Sequence, residues 1–127
     1  MSVEARWVNA EKTAVLVQAI FPWDWQQSNA AKQQLDNLLE TVNQPVALII
    51  DLSQAQRVPP NTISNVNLMM LNKHPDVSRV ILVGLGSFFQ IITNIIIRLY
   101  PEFQNILVLT NTLDAALQFI PKSQEAP

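Results

Sequence analysis

The chain has 127 residues, 49% of them hydrophobic and 14% charged, with a formal net charge of -2. That is the length of one ordinary domain with a sizeable core, and the apolar content excludes a disordered chain. The near-neutral charge and scattered Lys and Arg positions leave no basic stripe for nucleic acid or an anionic membrane, and without cysteine there is no disulfide, thiolate metal site or thiol nucleophile.

The opening residues, MSVEARW, hold no apolar core of signal-peptide length. Polar residues break the longest apolar runs well short of a membrane span. A cytoplasmic protein without an integral membrane segment is the expectation.

Residues 5–8 and 13–20 read as strands joined by the polar turn Asn9-Ala10-Glu11-Lys12, an antiparallel hairpin. In TAVLVQAI, Val15, Val17 and Ala19 share one face, and Leu16 and Ile20 share the other with Gln18 between them. Both faces are mostly apolar, so cover on both sides is expected. Pro22 stops the strand, and Asp24 with Gln27 three residues on forms a capping box. The helix behind it is predicted to reach about Asn43. Its buried stripe is Leu35, Leu38, Leu39 and Val42, and Lys32, Gln33, Asp36 and Glu40 make its wet side.

The stretch 46–60, VALIIDLSQAQRVPP, is the one around which the rest is built. An apolar run ending in a carboxylate, then a loop and a helix start, is how a buried parallel strand delivers a site to a sheet edge. A helix is predicted from about Pro60, where the missing proline N–H costs nothing, to Lys73. Residues 78–84 (SRVILVG) are a further core strand. A third helix runs from Gly86-Ser87 to Leu99 or Tyr100 and stops at Pro101. Residues 105–110 (NILVLT) are the last strand, and Thr112 caps a final helix with Leu113, Ala116, Leu117 and Ile120 on one stripe, ended by Pro121. The order ββαβαβαβα implies an α/β fold: a mostly parallel sheet of about five strands, one antiparallel hairpin strand and four helices. A single domain over 1–121 with a frayed tail at 122–127 is the expected organisation.

This order, the strand VALIIDLS, the loop-to-helix unit after it, VILVG and the closing NILVLTNTLDAAL together resemble the STAS domain family, the fold of bacterial anti-sigma factor antagonists. FPWDW and the DLS…VPP pattern look like a divergent STAS-like group related to CRAL-TRIO-type lipid-binding domains. The resemblance covers nearly the whole chain and implies a regulatory module that binds a protein partner. In phosphorylated members, a strand ending in Asp-Leu-Ser is followed by Asp-Ser-Ser-Gly-Leu at the next helix start, where a serine is phosphorylated. Here Asp51-Leu52-Ser53 matches the strand end, and Pro59, Pro60, Asn61, Thr62 and Ile63 fall on the second motif. Asn61 at the acceptor place has no hydroxyl, which argues against the switch; Thr62 and Ser64 are the nearest hydroxyls. Helix N-termini attract anions, so Asp51, Ser53, Pro59, Pro60, Asn61 and Thr62 together make a candidate partner- or anion-binding loop.

Other residues point elsewhere. Asp51 is either a catalytic acid or, more commonly for a strand-end aspartate, an acceptor for N–H groups of the following loop. His74, the single histidine, stands before a proline at a predicted helix end, where an imidazolium suits the dipole. Nothing in the pattern sets a Ser or a carboxylate beside it, so neither a triad nor a metal site is expected, and no cofactor is implied. Gly84-Leu85-Gly86-Ser87 follows a strand as a phosphate-binding turn does, but Phe89 replaces the third glycine; a tight turn is the plainer reading. In SFFQIITNIIIRLY (87–100), Phe88, Ile91, Ile92, Ile95 and Leu99 form the expected core stripe. Phe89, Ile96, Ile97 and Tyr100 are then surplus, a candidate association patch for a homodimer. Trp23 and Trp25 line a candidate apolar pocket, or pack one in the core and one over the sheet edge. The leading expectation is a non-enzymatic STAS-like interaction module. The alternatives are a carrier or sensor of a small apolar ligand or lipid, and an enzyme resting on Asp51 and His74 alone.

Overall fold

The computed structural model describes residues 3–20, 22–54, 75–84, 91, 94–95, 97–101, 104, 107–110 and 112–118. The helix expected over 60–73 lies outside them.

The chain begins with β1 (Val3–Trp7) and β2 (Ala14–Ile20), antiparallel with Ala5 opposite Val17. The turn between them is held by its own side chains. Asn9 Oδ1 accepts the Thr13 N–H at 3.1 Å and Asn9 Nδ2 donates to Thr13 Oγ1 at 2.7 Å. Lys12 takes the left-handed conformation at φ 58, and its ammonium stands 6.0 Å from the Trp7 ring centroid. Gln44 Nε2 donates to the carbonyls of Glu11 and Lys12 at 3.0 and 2.8 Å, tying this turn to the approach of the next strand.

Helix α1 (Trp25–Leu39) carries the expected capping box: Gln27 N–H donates to Asp24 Oδ1 at 2.8 Å, and Asp24 N–H donates to Gln27 Oε1 at 3.3 Å. It stops short of Asn43, because Thr41 turns back: its hydroxyl donates to the Leu38 carbonyl at 2.6 Å and closes the last turn. The buried stripe is Ser28, Ala31, Leu35 and Leu39, with Leu38 and Val42 only partly covered. The small Ser28 and Ala31 let the first half of the helix sit close on the sheet, and the leucine spacing alone does not report them. Of the expected wet side, Gln33 and Glu40 are exposed. Lys32 and Asp36 are partly covered and paired at 2.7 Å, with side-chain exposures of 19% and 37%. Gln26, Asn29, Gln34 and Asn37 are exposed as well.

Strands β3 (Val46–Gln54), β4 (Val77–Val83) and β5 (Leu107–Thr110) follow, each parallel to its predecessor, and the five-stranded sheet has the order β1-β2-β3-β4-β5. Among the described strands only the first pair is antiparallel. Strand β3 takes in Asp51-Leu52-Ser53, the expected strand end, and runs one residue further to Gln54. A register shift between Val46 and Ala47 leaves Ser78 as an extra residue in β4, and its hydroxyl donates to the Val46 carbonyl at 3.3 Å.

Strands buried on both faces read as apolar runs, and both faces are covered here. Val15, Val46, Val77 and Val80 pack with Leu35 and Leu39 of α1, extended over β1 by Val3, Ala19 and Ala31. On the opposite face Ala14, Leu16, Ala47, Ile49, Ile81 and Val83 pack with Ala116 of the short helix α2 (Leu113–Leu117). Thr112 caps α2 by accepting the Ala115 N–H at 3.1 Å. Leu117, expected in its buried stripe, is 37% exposed; a five-residue helix presents one and a half turns, and Leu113 and Ala116 take the inner side. Burying a leucine or isoleucine fully is worth about 1.5–3 kcal/mol, so the two clusters carry the fold.

Between β4 and β5, Ile91, Asn94, Ile95, Ile97, Arg98 and Leu99 are helical. Ile91 and Leu99, expected in the core stripe, are 58% and 55% exposed, while Ile95 and Ile97 are half-buried. Where apolar residues surround most of a helix, periodicity finds the stripes but not which one meets the sheet. Among the described residues no helix is long and apolar enough to cross a membrane.

Candidate functional site at the carboxyl ends of the strands

The parallel strands β2 to β5 end on one edge of the sheet, and their register sets Gln18, Asp51, Val83 and Thr110 side by side in one row. In sheets of this kind ligands and partners meet the carboxyl ends of the strands. Alternation along β2 and β3 turns Gln18 and Asp51 to the α2 face, beyond Leu16 and Ile49.

Asp51 is 5% exposed. A buried carboxylate must be hydrogen-bonded, and three donors meet it. Ser53 gives Oδ1 its backbone N–H at 3.0 Å and its hydroxyl at 2.6 Å. Gln18 Nε2, from the neighbouring strand, donates to Oδ2 at 3.0 Å. The donors are neutral, and both carboxylate oxygens are engaged. The residue thus accepts hydrogen bonds from the segment that follows it, and also stitches β2 to β3.

Gly84 closes the β4 side of the edge. Its φ is +73, and a Cβ there would meet Ser53 Cβ at 2.6 Å, Ser53 Cα at 2.7 Å and Ser53 N at 2.9 Å. The ends of β3 and β4 approach this closely only because residue 84 has no side chain. Its N–H donates to the Thr110 carbonyl at 3.1 Å, so it is spent on the sheet and not offered to a phosphate. Thr110 Oγ1 in turn donates to the Thr112 carbonyl at 3.3 Å. A chain of hydrogen bonds and one steric contact therefore runs along the edge from Gln18 to the start of α2.

Of the candidate loop, the structure brings Asp51 and Ser53 together; Pro59, Pro60, Asn61, Thr62 and Ser64 lie outside the described residues, as does His74. Gln18 was missed as a partner of Asp51. Its signal was present, as the polar residue between Leu16 and Ile20 on an otherwise apolar strand face, but the carboxylate it meets is 33 positions away. Of the association patch, Ile97 and Tyr100 are half-buried, and Phe89 and Ile96 lie outside the described residues.

Trp23 and Trp25 touch edge to face, with centroids 5.1 Å apart and planes at 76°. Trp23 packs on the cluster of Val3, Ala19 and Ala31 together with Leu52, while the Trp25 indole N–H is buried without a hydrogen-bond partner among the described residues. The described residues hold no group of His, Cys, Asp or Glu side chains able to bind a metal ion.

Fold and edge define a mixed α/β protein with a parallel sheet, one antiparallel edge strand and a braced carboxyl edge. No protein-family model matches the chain, and a search among curated proteins returns no match.

Proposed function

We propose that this chain is a non-enzymatic, cytoplasmic STAS-like regulatory module that binds a protein partner through the segment after β3, residues 54–62, and the helix expected behind it. The observation that supports this reading is the commitment of Asp51. Both of its oxygens are taken by Ser53 and Gln18, so the carboxylate serves as a brace at the end of β3. A braced edge suits a surface that must present a fixed shape to another protein. Pro59-Pro60-Asn61 stands where phosphorylated relatives of the fold would keep acidic and hydroxyl residues, so partner choice here does not run through a phosphoserine at 61; Thr62 and Ser64 are the remaining hydroxyls. The exposed Ile91 and Leu99, in a stretch whose sequence also holds Phe89, Ile96, Ile97 and Tyr100, support self-association as a homodimer. Affinity capture from native cells with the wild-type chain and with a Pro59→Ala/Pro60→Ala/Asn61→Ala variant tests the reading. A stoichiometric partner held by the first and lost by the second is expected; identical recovery by both, with the variant folded, overturns it.

A second reading, a carrier or sensor of a small apolar ligand, is favoured by the paired indoles of Trp23 and Trp25 and by the unpartnered Trp25 N–H, which an acceptor on an apolar body would satisfy. Native mass spectrometry of the purified protein tests it: an added mass that disappears after solvent extraction is expected, and the bare chain mass counts against it.

A further inference from the structure

We draw no further inference here: the strongest candidate, the exposed Ile91 and Leu99 of the helix before β5, belongs to the self-association already proposed, and nothing in the structure shows what covers them.

Discussion

Replacing Gly84 with alanine tests the steric logic of the carboxyl edge. A non-glycine residue in the left-handed region costs about 1–2 kcal/mol. The added methyl would stand 2.6–2.9 Å from three Ser53 atoms, two of them backbone, so relief requires β3 to move away from β4. Overpacking of this kind costs about 1–3 kcal/mol. The sum is about 2–5 kcal/mol, which for a domain of this size lowers the melting temperature by about 8–20 °C. Thermal unfolding followed by circular dichroism reads it directly. Gly84→Asn separates the two contributions, because asparagine tolerates the left-handed region but still carries a Cβ. It should keep only the overpacking cost of about 1–3 kcal/mol, milder than alanine but well below the wild type. An asparagine variant as stable as the wild type would refute the close approach of Ser53, and an alanine variant within about 0.5 kcal/mol of the wild type would refute both contributions.

Asp51→Ala strands the Gln18 and Ser53 donors and should destabilise by about 2–3 kcal/mol. Asp51→Asn, whose oxygen still accepts from Ser53 while Gln18 turns its own oxygen inward, should stay within about 1 kcal/mol of wild type; urea melts in which the two variants behave alike would sink the brace. Asp24→Ala removes the cap that accepts the Gln27 N–H and should cost about 1 kcal/mol, a melting point lower by about 4 °C. Ile91→Lys/Leu99→Lys should change monomer stability by less than about 0.5 kcal/mol, because both side chains already face water. If the chain self-associates through this face as proposed, light scattering should show a dimer mass for the wild type and a monomer mass for the variant; an equal mass for both refutes it.

Much of the fold was legible locally. VALII and VILV read as buried sheet-core strands, the short Asn9–Lys12 turn joins neighbouring strands, and Asp24 with Gln27 marked the start of α1 within one turn. The inner face of α1 extends to Ser28 and Ala31, which the leucine spacing does not report. Ile91 and Leu99 were placed inward because a helix that is apolar nearly all round offers several equivalent stripes.

By itself, then, the sequence determined the order of the described strands, the antiparallel first pair and the position of the caps at Asp24 and Thr112, since these depend on residues within about four positions of one another. Tertiary structure alone decided that Gln18 would reach Asp51, that Ser53 would fill the space beside Gly84, and which helix flank would meet the sheet. Those contacts join residues about 30 positions apart. They exist only once parallel strands have paired in one register, and no local pattern encodes that register.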